Sequence, residues 1–394
     1  MDIKDLETPC FVLDKEELSK SVSGFQNALL NNFSKSIVGY SVKTNSLPYC
    51  LNIARQQGCY AEVVSYDEYE LALKCGFQKK NIVYNGPMKS KQTFLDAICN
   101  GAIVNIETHR ELSWLKELPA NGCYNVGLRL NVNISRVSHE DAEGENDNSR
   151  FGFSDETDEF KNALKAINDI PNVKLSGLHI HRTSHSRSVA FYRNSIRYAC
   201  ETIKKYNLHL DFLDVGGGYF GIFANKPTYQ NYADAFKDVL DCYGLNNLCI
   251  IVEPGNALVA SCFSFVSEVI DVKQVEKNRW FVTTDGSRND IDPFFRKTGY
   301  MSELLYENKG EIVEEQVISG CTCLEYDRLF TLNQQPLMQV GDRIVYKNVG
   351  AYTMCLTPLF IRYFPKVYVI NDNEISLVRD NWGAKEYIQK SEIQ

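Results

Sequence analysis

Four short stretches carry side chains whose types and spacing suit one kind of chemistry. In SIVGYSVKTNSL, residues 36–47, an apolar β-branched run ends on a primary amine, Lys43. A lysine at a strand end either snorkels its ammonium to water or uses the amine as a nucleophile toward a carbonyl. In DVGGGYFG, Gly216, Gly217 and Gly218 are consecutive. Three glycines let a chain turn sharply and aim backbone N–H groups at one anion such as a phosphate; a plain flexible turn is the alternative. In IIVEPGNALV, Glu253 closes an apolar run and Pro254-Gly255 forces a turn after it. A carboxylate buried there needs a partner, either a cation of the protein or a protonated nitrogen on a bound ring. In SGLHIHRTSHS, His179 and His181 flank Ile180. Strand alternation sends the two imidazoles to opposite faces, one inward and one toward the surrounding helices. An inward imidazole at a rim can stack on a flat ring. Two strand histidines without a third ligand do not specify zinc, nor does the C-x-C of Cys321 and Cys323, so no metal site is expected.

The elements that must hold these residues follow from periodicity. After a short strand near 10–13 and a helix near 15–30, apolar runs recur at 36–42, 60–64, 81–84, 102–106, 124–132, 173–180, 211–215 and 248–253. Helical patterns such as 66–75, 91–100 and 187–206 lie between them. Near-continuous apolar strands suit a parallel sheet buried on both faces, and eight β/α units predict a closed (β/α)8 barrel. Lys43, the histidines, the glycines and Glu253 then stand at the carboxyl ends of strands one, six, seven and eight, the end that carries the site in such barrels. The polar, acidic stretch NISRVSHEDAEGENDN, residues 133–148, predicts a mobile loop after the fifth strand. Past about residue 256, segments such as SFVSEVIDVK, RWFVTT, GDRIVYK and KVYVI alternate with turn residues and predict an antiparallel β domain. The expected fold is α/β, with a barrel over residues 26–255 and a β-sandwich or β-barrel domain made of 1–25 and 256–394.

Bulk properties narrow the function. A chain of 394 residues suits two domains. Its net charge of −8 gives nucleic-acid binding no electrostatic support. Thirteen scattered cysteines imply reduced thiols and a cytoplasmic setting. No basic, apolar leader and no run of membrane-spanning length is present, so neither secretion nor a membrane partner is expected.

An amine, a phosphate nest, a carboxylate and a stacking ring at neighbouring strand ends match the needs of pyridoxal 5'-phosphate (PLP): an imine, a phosphate site, a partner for the pyridine nitrogen and cover for the ring face. On these residues the chain resembles the fold-type III PLP-dependent decarboxylases, the family of ornithine, diaminopimelate and carboxynorspermidine decarboxylases. The resemblance runs from TPCFVLD to GAYTMCL. YSVKTN is similar to the family's Y-A-x-K-x-N, which implies that Lys43 is the Schiff-base lysine. AEVVSYDEYE resembles D-V-V-S-x-x-E and puts Glu62 where an aspartate near that lysine is usual. GLHIH implies that His181 is the stacking residue. Ser184 then corresponds to a serine that contacts phosphate, with Thr183 in place of a glycine. DVGGGY supplies Gly216, Gly217 and Gly218 for the phosphate, and VEPG implies that Glu253, beside Gly255, binds the pyridine nitrogen. Asn256 stands where the family has an arginine that contacts phosphate.

The later motifs extend the resemblance. CTCLEYD implies that Cys323 is the acid one protomer lends to its partner's site, and VGAYTM implies that Tyr352 contacts phosphate. Arg150, in SRFGF, occupies a basic position of the family and by analogy pairs with Asp327 of the other chain. The resemblance thus implies an alanine-racemase-like barrel, a homodimer with shared active sites, and a carboxy-lyase that releases CO2 and passes the electron pair into a pyridinium ring kept protonated by Glu253. Racemases of this fold place an arginine at that nitrogen, so Glu253 favours decarboxylation. Two other readings are a regulatory member without catalysis and a racemase or lyase; retention of Lys43, His181, Glu253, Cys323 and Tyr352 disfavours the first. Leu324 follows Cys323 where the ornithine and diaminopimelate branches have an acid, with Glu325 one position later. Asp292 precedes Pro293 where the diaminopimelate branch has an arginine for a distal carboxylate. A cationic tail met by Asp292 and Glu325 is therefore expected, which disfavours diaminopimelate and leaves a longer diamino acid or a carboxy-polyamine.

Overall fold

The computed structural model describes residues 3–142, 149–372 and 374–392. The chain forms two compact units, residues 19–258, and residues 1–18 with 259–394.

The first strand, β1 (Cys10–Asp14), belongs to the second of these units. The first unit is a closed barrel of β2 (Ser36–Ser41), β3 (Tyr60–Ser65), β4 (Ile82–Met88), β5 (Ile103–Ile106), β6 (Tyr124–Arg129), β7 (Val173–His179), β8 (Phe212–Asp214) and β9 (Cys249–Val252). All eight pairings are parallel, and β2 closes on β9 with Val38 opposite Val252. A parallel barrel has no solvated face, which is why these strands read as unbroken apolar runs. Val83, Phe212 and Ile251 are buried together, with Ile37, Tyr60, Ile103 and Cys249 packed against them. A side chain at Gly177 would collide with the Phe212 ring, so that glycine makes room for the largest of the three.

Part of the expected mobile loop is ordered. Ile134–Val137 forms a helical turn, capped by the Asn133 side chain accepting from the Ser135 N–H at 3.0 Å, and His139–Asp141 forms a 3-10 turn. Both lie under short polar residues whose capping value the apolar periodicity does not register. Residues 143–148 of that stretch lie outside the described residues.

The second unit is a sheet in the order β14-β13-β11-β10-β1-β16-β17, with β15 pairing β10 and β12. Its strands are β1, β10 (Phe263–Glu276), β11 (Arg279–Thr284), β12 (Ser302–Leu305), β13 (Ile312–Ser319), β14 (Arg328–Pro336), β15 (Arg343–Lys347), β16 (Lys366–Asn371) and β17 (Glu374–Arg379). The expectation of an antiparallel domain needs correction, because β1 runs parallel to β16 and β11 parallel to β13. Hairpins enforce antiparallel pairing; β1 arrives from the far end of the chain, and the long connection from β11 to β13 permits a crossover. Leu6, Cys10, Val12, Val266, Val345 and Tyr368 form a core of this unit.

Candidate active site

Barrel strands end abruptly, and the first residues past each end are free to take turns that aim side chains across the mouth. Lys43 lies in a 3-10 turn, Val42–Thr44, just after β2. Its Nζ stands 2.7 Å from Glu62 Oε2, so the snorkelling alternative gives way to an ion pair. Glu62, on β3, has no exposed surface and also accepts from Ser41 Oγ at 2.6 Å. The Asn85 amide, on β4, donates both to Glu62 Oε1 at 3.2 Å and to Glu253 Oε1. Asn105, on β5, donates to Asn85 Oδ1 at 2.8 Å and to Asp214 Oδ2 at 3.0 Å. A hydrogen-bonded run thus joins the amine to the carboxylate at the far strand. Among the described residues Glu253 has no arginine or lysine within ion-pair distance; its nearest cationic candidate is His179.

Asp214 and Glu253 divide one proton between them. Burial first, then the Glu253 charge, pushes the Asp214 carboxyl well above the usual range. Burial alone would raise Glu253 as well, but the His179 imidazole, the Asp214 hydrogen bond and the Lys43 ammonium outweigh it and hold Glu253 below that range. Glu253 is therefore the ionised member and Asp214 the protonated one. His179 Nε2 is 3.6 Å from Glu253 Oε2, and among the described residues neither His179 nitrogen has a hydrogen-bond partner. The ligand atoms of His179, Asp214 and Glu253 lie within 4.8 Å of one another. Two amides already aim N–H donors at those carboxylates, an arrangement that suits hydrogen bonding and opposes a cation.

The expectation that the two histidines face opposite sides is corrected. β7 ends at His179, so alternation no longer governs His181 two residues later. The rings lie nearly parallel, 14° apart, with centroids 6.3 Å apart. His181 Nδ1 accepts the Gly217 N–H at 3.1 Å, which requires a neutral ring. Enclosure, then the nearby Arg129 charge, pushes its pKa down to about 3 and keeps it neutral. Arg129, the last residue of β6, donates to the His181 carbonyl at 3.2 Å and to Glu107 at 2.6 Å.

The glycine turn is built to fit this mouth. Gly216 and Gly218 have φ of +70° and +100°, backbone that favours glycine. A side chain at Gly217 would strike the Glu253 carbonyl, and one at Gly255 would strike Thr44 Oγ1. Two of the three N–H groups expected to meet phosphate are engaged otherwise, Gly216 on Asp214 at 3.0 Å and Gly217 on His181. Ser184 is also engaged: its Oγ donates to Asp141 Oδ1 at 2.9 Å and accepts the Arg187 N–H at 2.8 Å. Asp141 further accepts from Ser186 N–H at 2.7 Å, Ser186 Oγ at 2.7 Å and Ser138 Oγ at 2.8 Å.

Sequence reading missed Asn85, Asn105, Arg129, Asp141 and Asp214. Asn85 directly follows the apolar run 81–84, as Lys43 follows 36–42, so the same rule would have found it; Arg129 and Asp214 lie inside their runs, where that rule does not look. Asp141 carries no such signal.

The remaining expected residues belong to the second unit. Cys323 is exposed and, with Glu325, lines a cleft of about 210 Å³ together with Phe281, Thr322, Leu324 and Arg328. Asp327, at the floor of that cleft, is buried and accepts from Thr322 Oγ1 at 2.6 Å, the Arg288 N–H at 2.9 Å and Ser287 Oγ at 3.0 Å. It braces its own loop, while Arg150 lies over the Phe151 ring at 4.3 Å. Asp292 is likewise buried rather than open to a cationic tail. It accepts from Arg288 Nη2 at 2.9 Å, the Lys297 N–H at 3.0 Å, the Arg296 N–H at 3.1 Å and Tyr300 OH at 3.2 Å. Tyr352 is exposed, on left-handed backbone with φ of +55°.

The barrel mouth fits PLP by its donor set. It offers an amine, an ionised buried carboxylate, a neutral ring and a turn from which side chains are sterically excluded. Comparison with known proteins agrees. Residues 18–260 match the family model for the pyridoxal binding domain of pyridoxal-dependent decarboxylases. A probable chloroplastic diaminopimelate decarboxylase of Oryza sativa subsp. japonica is 27% identical over 402 residues, covering 97% of this chain and 79% of the relative. A diaminopimelate decarboxylase of Bacteroides thetaiotaomicron is 27% identical over 384 residues, covering 94% and 97%. The fold matches the crystal structure of the Helicobacter pylori diaminopimelate decarboxylase complexed with L-lysine, with a TM-score of 0.82 and 23% identity over 98% of this chain and 97% of that one.

Proposed function

The chain belongs to the pyridoxal-dependent decarboxylases, and from that premise we propose that it removes CO2 from an α-amino acid bearing a second amine. The observation that carries this is the run Lys43–Glu62–Asn85–Glu253, which joins an amine and an ionised acid across one barrel mouth.

PLP, when bound, supplies an aldehyde that condenses with amines and a pyridinium ring that accepts the electron pair left by departing CO2. Lys43 would hold the aldehyde of the bound cofactor through its amine. Glu62 neutralises the Lys43 ammonium. Glu253, kept ionised by His179, Asp214 and Lys43, holds a proton at the pyridine nitrogen. His181, neutral, would cover one face of the cofactor ring, and Arg129 fixes its backbone carbonyl. Ser184 and the glycine turn would take the phosphate, and Gly255 lets Thr44 approach the floor of the site. Cys323 delivers a proton to the α-carbon after CO2 has left.

We read the working enzyme as a homodimer in which Cys323 and Glu325 of one protomer complete the partner's site; an exposed thiol in a polar cleft supports this. None of the thirteen cysteines forms a disulfide, which supports a cytoplasmic setting. Among the described residues no helix is long and apolar enough to cross a membrane.

The substrate reading is revised at one point. Because Asp292 is matched by Arg288 within its own loop, it no longer argues against a distal carboxylate. Diaminopimelate, the substrate in the names of the relatives, therefore joins the diamino acids and carboxy-polyamines to be tested. The test is CO2 release across that panel, with Lys43→Ala as control. Release from one class identifies the tail; a racemised substrate without CO2 would replace decarboxylation by racemisation.

A further inference from the structure

The phosphate site as described lacks charge. Asn256 is neutral, two glycine N–H groups are bonded to Asp214 and His181, and the single proton of Ser184 points to Asp141. A phosphate carrying nearly two negative charges, placed beside the ionised Asp141, needs a cation that none of these residues provides.

Arg187 supplies a candidate. It stands in the same turn as Ser184, to which its N–H is bonded, and its φ of +49° is left-handed backbone, uncommon for arginine. Its carbonyl accepts from Tyr232 OH at 2.7 Å, and that hydroxyl in turn accepts the Phe220 N–H at 3.4 Å. This bridge ties the turn to the glycine segment, since Phe220 is two residues past Gly218. The guanidinium lies 5.4 Å from the centre of the Phe220 ring. Lys226 approaches the same ring, at 4.8 Å. Among the described residues neither cation has a carboxylate partner, so two like charges approach one ring unneutralised. Such an arrangement is uphill until an anion arrives. Next along the chain, Gly221 lies so close to the Ala257 carbonyl that a side chain there would come within 3.0 Å, which brings the segment alongside Asn256.

We propose that Arg187, reinforced by Lys226, is the cation that binds the cofactor's phosphate in this protein, in place of a charge at residue 256. The inference rests on the reading that Ser184 and the glycine turn take phosphate. Strain at Arg187 and the Tyr232 bridge then have one purpose: they hold the guanidinium over Phe220, two residues past the glycine turn.

The test compares PLP with pyridoxal, which has the aldehyde and ring but no phosphate. Both are titrated into the full chain stripped of cofactor, with imine absorbance as the readout. Arg187→Met keeps an apolar stem on Phe220 and removes the charge. It is expected to weaken PLP by about tenfold or more while leaving pyridoxal unmoved. Adding Asn256→Arg to Arg187→Met should recover most of the loss, which a purely structural role would not do. Lys226→Met should give a smaller loss with the same selectivity. Equal affinity of Arg187→Met and the parent chain for PLP would overturn the proposal, as would a loss shared by PLP and pyridoxal. Failure of the underlying reading shows elsewhere: the parent chain itself would then bind pyridoxal as tightly as PLP, and Ser184→Ala would leave that ratio unchanged.

Discussion

Lys43 and Cys323 are both reactive groups, yet their surroundings differ in kind. Lys43 is one member of a buried set in which Glu62, Asn85, Asn105, Asp214 and Glu253 bond to one another. Cys323 is exposed, and its loop is held by a different residue, the buried Asp327. In the barrel mouth the chemistry and the support are the same side chains. In the Cys323 cleft they are separate. A change at the mouth should therefore disturb fold and function together, whereas a change at Cys323 should touch function alone.

The strongest test of that contrast is Lys43→Ala. It is expected to abolish the imine absorbance and reduce turnover to background. It also leaves Glu62 buried without its cation, so stability in urea should fall by about 1–3 kcal/mol. Normal imine absorbance would remove Lys43 from its role. Cys323→Ala is the converse. Its unfolding midpoint should match the parent within about 0.5 kcal/mol and its imine should form normally, while turnover drops by about 100-fold. A thiol that proved necessary for folding would erase the distinction between the two regions.

The same contrast explains what sequence alone revealed. The barrel was readable because a sheet buried on both faces must be apolar throughout, so each polar residue at a strand end stands out. Lys43, Glu253 and the glycines were legible for that reason, and the pyridoxal reading followed from their positions. The mixed sheet of the second unit was less legible. Its parallel pairs depend on where β1 and β13 are inserted, which local alternation does not encode. Asp292 was legible as a residue but not in its role. A carboxylate looks equally available to substrate or to its own loop until five donors are seen: Arg288 twice, the Arg296 and Lys297 N–H groups, and Tyr300. Asp141 was not legible at all, because its partners come from two separate segments, Ser138 nearby and Ser184 and Ser186 beyond β7.

Asp292→Asn sharpens the contrast from the second unit. An amide cannot accept from the Arg288 fork and the two backbone N–H groups as a carboxylate does. The expected result is a loss of about 1–3 kcal/mol in stability with KM unchanged for whichever substrate is turned over. A rise in KM with stability unchanged would return Asp292 to the substrate.

The smallest effect belongs to Asp141, which supports the Ser184 turn from outside the run of acids. Burial would raise its carboxyl, but hydrogen bonds from Ser186, Ser138 and Ser184 outweigh that and lower it from the ordinary 3.8 to about 2. The folded state therefore holds the proton less tightly than the unfolded chain. Stability from Asp141 is fully present above about pH 4 and is lost as pH falls toward about 2. Asp141→Asn should be less stable than the parent by about 1–2 kcal/mol at neutral pH, and the gap should close as the parent is acidified through that window. Because Ser184 loses its acceptor, PLP affinity should shift more than pyridoxal affinity. A gap that stayed constant down to pH 2 would mean that an ionised Asp141 does not hold the turn, and would place that support with the serines and backbone instead.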